Sequence, residues 1–240
     1  MISPMKSPRI SIASIALTVG LVAGLMLLST GPGYRIGLLP LRSAFDVLRW
    51  GAYLGAAAAV LAIVALVRKR AVITALAALL VGLFAFALPL RWQRTAAAAP
   101  PIHDITTDTN NPPAFAAIVP LRADAPNTLD YSPEVARQQQ EAYPELKPLL
   151  LDAPPAQVFD RALQAAREAG WEIVAADPTA GRIEATDTTR WFGFKDDIVV
   201  RLTPAGTRTV VDVRSVSRLG RGDTGTNARR IRDYLAALSR

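Results

Sequence analysis

Three membrane-spanning helices followed by one α+β domain is the fold class predicted by this 240-residue chain. Ile10 to Leu28, Gly51 to Val67 and Ala71 to Leu90 are apolar runs of 19, 17 and 20 residues with no ionisable side chain. At ~1.5 Å per helical residue, about 17 to 25 such residues cross a hydrocarbon core. After Pro148 the pattern changes to amphipathic stretches of strand and helix period, as a water-soluble domain requires. The expected organisation is a membrane domain over 1–95, a Pro-rich irregular segment over 96–148 and an α+β domain over 149–240.

Along the first part, Lys6, Arg9, Arg49, Arg68, Lys69, Arg70, Arg91 and Arg94 sit at the ends of the runs, as basic flanks of spans do. The first run exceeds the usual h-region of a signal peptide, and no small-x-small pattern follows it, so a retained helix is expected. In the loop over 29–50, Arg35, Arg42 and Arg49 recur every seven residues, and Leu41, Phe45 and Leu48 oppose Arg42, Asp46 and Arg49. That pattern predicts an interfacial amphipathic helix from Leu41; an ordinary polar loop is the alternative. Gly20-x-x-x-Gly24 and Gly51-x-x-x-Gly55 match the small-residue packing pattern of membrane helices, expected to act among the protein's own three spans. The tight basic hairpin Arg68-Lys69-Arg70 favours a cytoplasmic position, although the loop charges are otherwise nearly even. With three spans and an inside amino terminus, the C-terminal domain faces outward, into the periplasm of a Gram-negative cell.

The charge divides with the domains. Residues 1–100 carry ten Lys and Arg against the single acid Asp46, whereas residues 101–240 carry seventeen against nineteen Asp and Glu. The overall +7 therefore belongs to the part that meets headgroups, and no nucleic-acid partner is expected. With no cysteine and a single histidine, His103, thiolate and multi-histidine metal sites are excluded, and no cofactor or metal is expected.

Nine of the eighteen prolines fall in residues 100–148, where periodicity is poor apart from a short helix over Pro133 to Ala142. A structureless segment of this length is usually a linker or a functional wrapping loop. The regular pattern then opens with a short strand over Leu149 to Leu151. Asp152 offers an N-cap-like oxygen, Pro154 and Pro155 suit a first turn, and Gly170 closes a helix with the stripe Val158, Phe159, Ala162, Leu163 and Ala166. Strands follow over Trp171 to Ala176 and Arg182 to Thr188, joined by a turn through Asp177 to Gly181. A second hairpin, Asp197 to Thr203 with Thr207 to Ser217, turns at Pro204-Ala205-Gly206, and Asn227 to Leu238 ends the chain as a helix. The order β-α-β-β-β-β-α predicts an antiparallel sheet with two helices on one face. Ile183, Ile198, Val200, Val211 and Val213 are expected to face Phe159, Leu163, Ile231 and Leu235.

Several motifs carry more character than a scaffold needs. They are His103-Asp104-Ile105-Thr106-Thr107-Asp108 with Pro112-Pro113-x-Phe115; Arg190-Trp191-Phe192-Gly193-Phe194-Lys195-Asp196-Asp197; and Asp212-Val213-Arg214-Ser215-Val216-Ser217-Arg218 leading to Asp223 and Asn227-Ala228-Arg229-Arg230-Ile231. In this order they resemble the bacterial family called domain of unknown function 1499, over about residues 101–240. The resemblance implies a membrane-attached or exported protein and assigns no activity. The element order is also similar to helix-grip modules of an outer-membrane assembly lipoprotein, an analogy of fold that carries no activity.

The candidate site is the polar cluster His103, Asp104, Asp108, Arg190, Asp196, Asp197, Arg214, Arg218, Asp223 and Asn227. His, Asp and Ser217 permit a hydrolase triad on paper, but no Gly-x-Ser-x-Gly elbow exists and Ser217 falls in a strand pattern. Asp196 and Asp197 with Asp104 or Asp108 offer oxygen ligands to a hard cation without an ordered loop motif. The leading reading is that Arg190, Arg214 and Arg218 pair with these carboxylates and fasten the 101–115 segment to the sheet. Recognition of an anionic or peptide ligand by the arginines is the other. The function expected is a non-enzymatic binding or scaffold module of the cell envelope, anchored in the bacterial inner membrane. Its partners would be the bilayer and an envelope protein or small anionic ligand. The alternative is an envelope hydrolase, or a small-ligand-binding enzyme, using the His103, Asp and Arg cluster.

Overall fold

The computed structural model describes residues 11–240; Lys6, Arg9 and the first residue of the first apolar run, Ile10, lie outside them. The chain divides into two compact units, Met1–Arg94 and Thr95–Arg240.

The first unit holds three helices long and apolar enough to cross a membrane: α1 (Ile12–Arg35), α2 (Leu41–Val67) and α3 (Val72–Ala98). Each outruns the apolar run that predicts it. α1 continues through Pro32, which has no N–H to give the preceding turn. The hydroxyls of Ser29 and Thr30 donate to the carbonyls of Met26 and Leu27 at 2.9 and 2.8 Å, binding backbone oxygens just ahead of that proline. The amphipathic stretch from Leu41 is not a separate interfacial helix but the opening turns of α2, because nothing between Trp50 and Gly51 interrupts the backbone ladder. Ser11 caps α1 by accepting from Ser14 N at 3.1 Å.

The bundle turns its small residues inward and its large ones outward. Ala16, Gly20 and Ala23 of α1, Ala58 and Ala62 of α2, and Ala78, Gly82 and Ala85 of α3 are buried, while Leu25, Ile63 and Ile73 are exposed. Water would penalise this arrangement; lipid favours it, since close backbone approach then supplies the packing. A Cβ on Gly82 would stand 2.7 Å from the Gly55 carbonyl oxygen, and one on Gly55 2.8 Å from that of Gly82.

The second unit is an α+β domain. Its elements are β1 (Asp104–Thr106), a 3-10 turn (Val119–Arg122), α4 (Pro133–Ala142), β2 (Leu149–Leu151), α5 (Pro155–Glu168), β3 (Glu172–Asp177), β4 (Arg182–Thr188), β5 (Lys195–Ala205), β6 (Arg208–Ser217) and α6 (Thr226–Leu238). The sheet is antiparallel in the order β1-β6-β5-β4-β3, and β2 shares the outer edge of β6 with β1. The segment expected to be irregular thus supplies an edge strand, with Asp104 opposite Val216 and Thr106 opposite Arg214.

One face of the sheet packs on α5 and α6. Ile183, Ile198, Val200, Val211 and Val213 alternate onto it and meet Val158, Phe159, Ala162, Ile231 and Tyr234. Leu163 and Leu235 stand at the margin, half-buried, because α6 is rotated so that Tyr234 takes the centre. Tyr234 stacks on Trp171 with ring centroids 4.8 Å apart and donates to the Ala162 carbonyl at 2.8 Å. Asp152 does not cap α5: Pro154 occupies the cap without a side-chain bond, and the exposed Asp152 carboxylate faces Arg208 at 4.0 Å. The β3–β4 turn needs a glycine, since Gly181 has φ +60° and a Cβ there would lie 2.4 Å from the Leu202 carbonyl oxygen.

Candidate functional site

The opposite face of the sheet is charged, and the Pro-rich segment lies over it. Strand alternation puts Glu184 and Thr186 of β4, Asp197, Val199 and Arg201 of β5, and Asp212, Arg214 and Val216 of β6 on this face. A small apolar patch of Phe115, Ile118, Val199 and Val216, with Leu129 and Val174 at its rim, is the only hydrophobic cluster recorded between the segment and this face among the described residues. The rest of the attachment is ionic and hydrogen-bonded.

Arg214 forms the centre. Its Nε and one terminal nitrogen donate to the two oxygens of Asp104 at 3.0 and 2.6 Å, a bidentate fork. It also donates to the carbonyls of Pro113 at 3.3 Å and Leu129 at 2.6 Å. The rings of Phe115 and Tyr131 flank the guanidinium at 5.5 and 5.6 Å. Both partners of the fork are buried, and burial pushes the Asp104 carboxyl above the ordinary carboxylate range although Arg214 pulls it down. The same burial, with the Asp104 charge nearby, pushes the Tyr131 hydroxyl up.

Asp197 gathers two further arginines. Arg218 donates to both its oxygens at 2.8 Å, Arg122 to one at 2.5 Å, and the Thr186 hydroxyl at 2.7 Å. Burial acts to raise this carboxyl, but the bonds from Arg218, Thr186 and Arg122 outweigh it and hold the group below the ordinary range. Arg122 donates onward to the Asn127 carbonyl and Arg218 to that of Leu121, tying the 3-10 turn to the sheet.

Glu184 binds the segment differently. Its carboxylate, fully buried, accepts the backbone N–H groups of Ala116, Ala117 and Ile118 at 2.9 to 3.1 Å and Arg182 Nε at 3.0 Å. Successive N–H groups converging on one anion form a nest, here filled from within the protein. Asp108 reaches Arg201 at 3.1 Å, Arg201 reaches Asp212 at 2.8 Å, and the Asp212 carboxylate accepts the Thr107 hydroxyl. Gln139 of α4 completes the edge, accepting Thr106 N–H at 2.9 Å and donating to the Thr106 carbonyl at 2.6 Å.

A second network lies on the helical face. Arg230 of α6 donates to Asp187 at 2.7 and 3.0 Å, to Asp196 at 2.7 Å and to the Ser215 hydroxyl at 3.0 Å. Asn227 bridges Ser215 and Ser217 and donates to the His103 carbonyl at 3.0 Å. Asp223 accepts the N–H groups of Gly225 and Asn227, capping α6 from outside, and burial raises its carboxyl above the ordinary range.

The ten candidates therefore divide. Asp104 and Arg214 meet directly, as do Asp197 and Arg218; Asp196, Asp223 and Asn227 join the α6 network; Asp108 pairs with Arg201, which was not among the candidates. Arg190 is exposed in the β4–β5 connection. His103 is held through its carbonyl, which accepts Ser217 N–H at 2.9 Å, and no carboxylate is ion-paired with its imidazole among the described residues. Glu184, Arg122, Gln139 and Arg201 escape a reading by motif, and Asp212 lies in a motif but was not among the candidates. Glu184 gives a faint signal as a carboxylate between Ile183 and Ala185 in a strand of high β-propensity, where alternation alone reads it as solvated.

Among the described residues no cluster of three or more His, Cys, Asp or Glu side chains is placed to hold a metal ion. A surface cleft of about 460 Å³ opens between α5 and α6, lined by Trp171, Asp187, Arg230 and Tyr234 among others. It lies over the helical face and involves neither His103 nor the Arg214 centre.

Three long apolar helices and a sheet with helices on one face and a pinned coil on the other define a membrane-associated α+β protein. The model of a family described as protein of unknown function, DUF1499, matches residues 104–238. That match spans more than half of the chain, which therefore belongs to this family. No match was found among curated protein sequences.

Proposed function

We propose that the protein is a non-enzymatic binding or scaffold module of the cell envelope, anchored in the inner membrane with its α+β domain on the outer side. One observation carries the reading: the buried carboxylates Asp104 and Asp197 of the candidate cluster, and Glu184 beside them, are paired on both oxygens by partners from within the chain. Asp104 accepts the two bonds of the Arg214 fork, one on each oxygen, and Asp197 and Glu184 accept four hydrogen bonds each from the protein itself. A catalytic carboxylate or a cation ligand keeps an open coordination position, whereas a carboxylate that holds a wrap in register does not. The Ser217 hydroxyl accepts from the Asn227 amide, and His103 meets this strand through its carbonyl rather than its ring, which further favours a structural role. The Arg68-Lys69-Arg70 hairpin between the second and third helices supports the outward topology by its basic density.

Alkaline phosphatase joined after Arg240 is expected to be active, and a cytoplasmic reporter there silent; the reverse pattern overturns the envelope assignment. His103→Ala and Ser217→Ala chains are expected to replace the wild type in a strain lacking it. Loss of replacement by His103→Ala at unchanged melting temperature would point instead to an envelope enzyme.

A further inference from the structure

The chain reaches the α+β domain at one end of its sheet, and four sequence-distant segments are sewn together there. Asp223 N donates to the Ile102 carbonyl at 3.3 Å, and a Cβ on Gly222 would lie 3.3 Å from Pro101 Cα, so the incoming chain abuts the β6–α6 loop. Arg218 N donates to the Lys195 carbonyl at 2.9 Å, joining that loop to the β4–β5 connection. The Arg218 side chain reaches the Leu121 carbonyl at 2.9 Å, and Asn127 reaches that of Gly220 at 2.9 Å, bringing in the 3-10 turn. These segments present large apolar side chains beside cations. Val119 and Leu121 are 49 % and 53 % exposed, Trp191 is half-buried, and Arg190, Lys195 and Arg221 are exposed. Exposed acids border these segments as well: Asp124 and Asp130 follow the 3-10 turn, and Glu172 acts on Arg218 through its charge.

We propose that this end of the domain is a docking face for an anionic lipid surface, with Val119 and Leu121 entering the headgroup layer and Lys195 and Arg221 meeting phosphates. Two features select a bilayer as the occupant. Exposed aliphatic side chains on segments that also carry exposed Lys and Arg have the composition of an interfacial contact, apolar where the acyl boundary begins and basic where the phosphates lie. The tether is also short. From Leu90, the last residue of the apolar run, to Pro101 the chain spans at most about 22 Å, as helix to Ala98 and extended chain beyond. The same face is therefore kept at high effective concentration near the headgroups. The β5–β6 turn at Gly206 is a full strand length away, about 33 Å for β5, and has no such tether.

The absence of cysteine makes the test direct. Leu121→Cys and, as control, the exposed Thr207→Cys in the full chain are each labelled with an environment-sensitive fluorophore. Both are placed in nanodiscs rich in phosphatidylglycerol, with or without a lipid carrying a headgroup-level spin quencher. Position 121 is expected to shift to the blue and be quenched several-fold more than position 207. Lys195→Glu with Arg221→Glu, or phosphatidylcholine alone, is expected to bring position 121 towards the control. Equal quenching at both positions overturns the proposal, as does protection of position 121 only when other membrane proteins are present, which would make the occupant a protein. Nanodiscs expose both leaflets, so the outcome is independent of which side of the cell membrane the domain occupies.

Discussion

Arg214 and Asp104 form a fork between residues 110 positions apart, and both side chains are nearly removed from water. Two charges in such a place attract strongly but give up most of their hydration, so the pair as a unit adds little net stability. Breaking it is another matter. Arg214→Ala is expected to cost about 3–5 kcal/mol, because Asp104 is left buried and uncompensated. Arg214→Met with Asp104→Leu should recover much of that loss. Urea unfolding of the four proteins of this cycle measures it; an Arg214→Ala midpoint equal to wild type would mean the arginine awaits a ligand. Asp197 gives a pH signature. Its folded-state carboxyl lies below the ordinary value of 3.8, so its contribution is complete above that value and is lost as pH falls through the depressed one. Asp104, raised by burial, acts in the opposite sense, so the informative quantity is a difference. Wild type minus Asp197→Asn should show a stability gap that narrows below about pH 4 in melting curves. A gap independent of pH would contradict the assignment. His103 and Asp104 were legible as a motif, but their roles were not, because neighbours in sequence point to opposite sides of an edge strand.

At the scale of elements, patterns with a period were read well and those without one were not. The stripe Val158, Phe159, Ala162, Leu163 and Ala166 fixes the face of α5, and α5 packs with it. Its phase is finer than the stripe implies: Phe159 is buried, whereas Leu163 sits at the margin. Phe159→Ala should therefore cost about 3–5 kcal/mol and Leu163→Ala nearer 2, the low end for a leucine truncation. Equal losses in denaturant titration would show that the margin is as tightly packed as the centre. β1 is invisible because Asp104, Ile105 and Thr106 lack the apolar run that marks Leu149 to Leu151, and what makes it a strand is its partner β6 far along the chain. The opening of α2 was assigned to a separate helix because its charges break the apolar run, although charge does not break the backbone ladder. In the membrane bundle the small residues were legible as motifs, yet Gly82, outside both motifs, makes the tightest approach. Gly82→Val should part α2 from α3 and lower the melting temperature in detergent, while Gly24→Val, whose Cβ position is 3.7 Å from Val81, should be milder.

For the molecule as a whole, the α+β unit has two unlike attachments to one sheet. Helices cover one face through an apolar core, and a coil covers the other through buried charge. The split edge of β6, completed by β1 and β2, sets the order in which this can be built. Residues 104 to 131 are synthesised early, yet Arg214, Asp197 and Glu184, which hold them, come 66 to 110 residues after the groups they bind. Closing loops of that length before any contact repays the entropy is slow. A ribosome delivering this chain therefore releases the first half of the α+β unit as an unfolded thread. The domain locks only when the last strand emerges, so the polypeptide stays pliant for as long as it is being made.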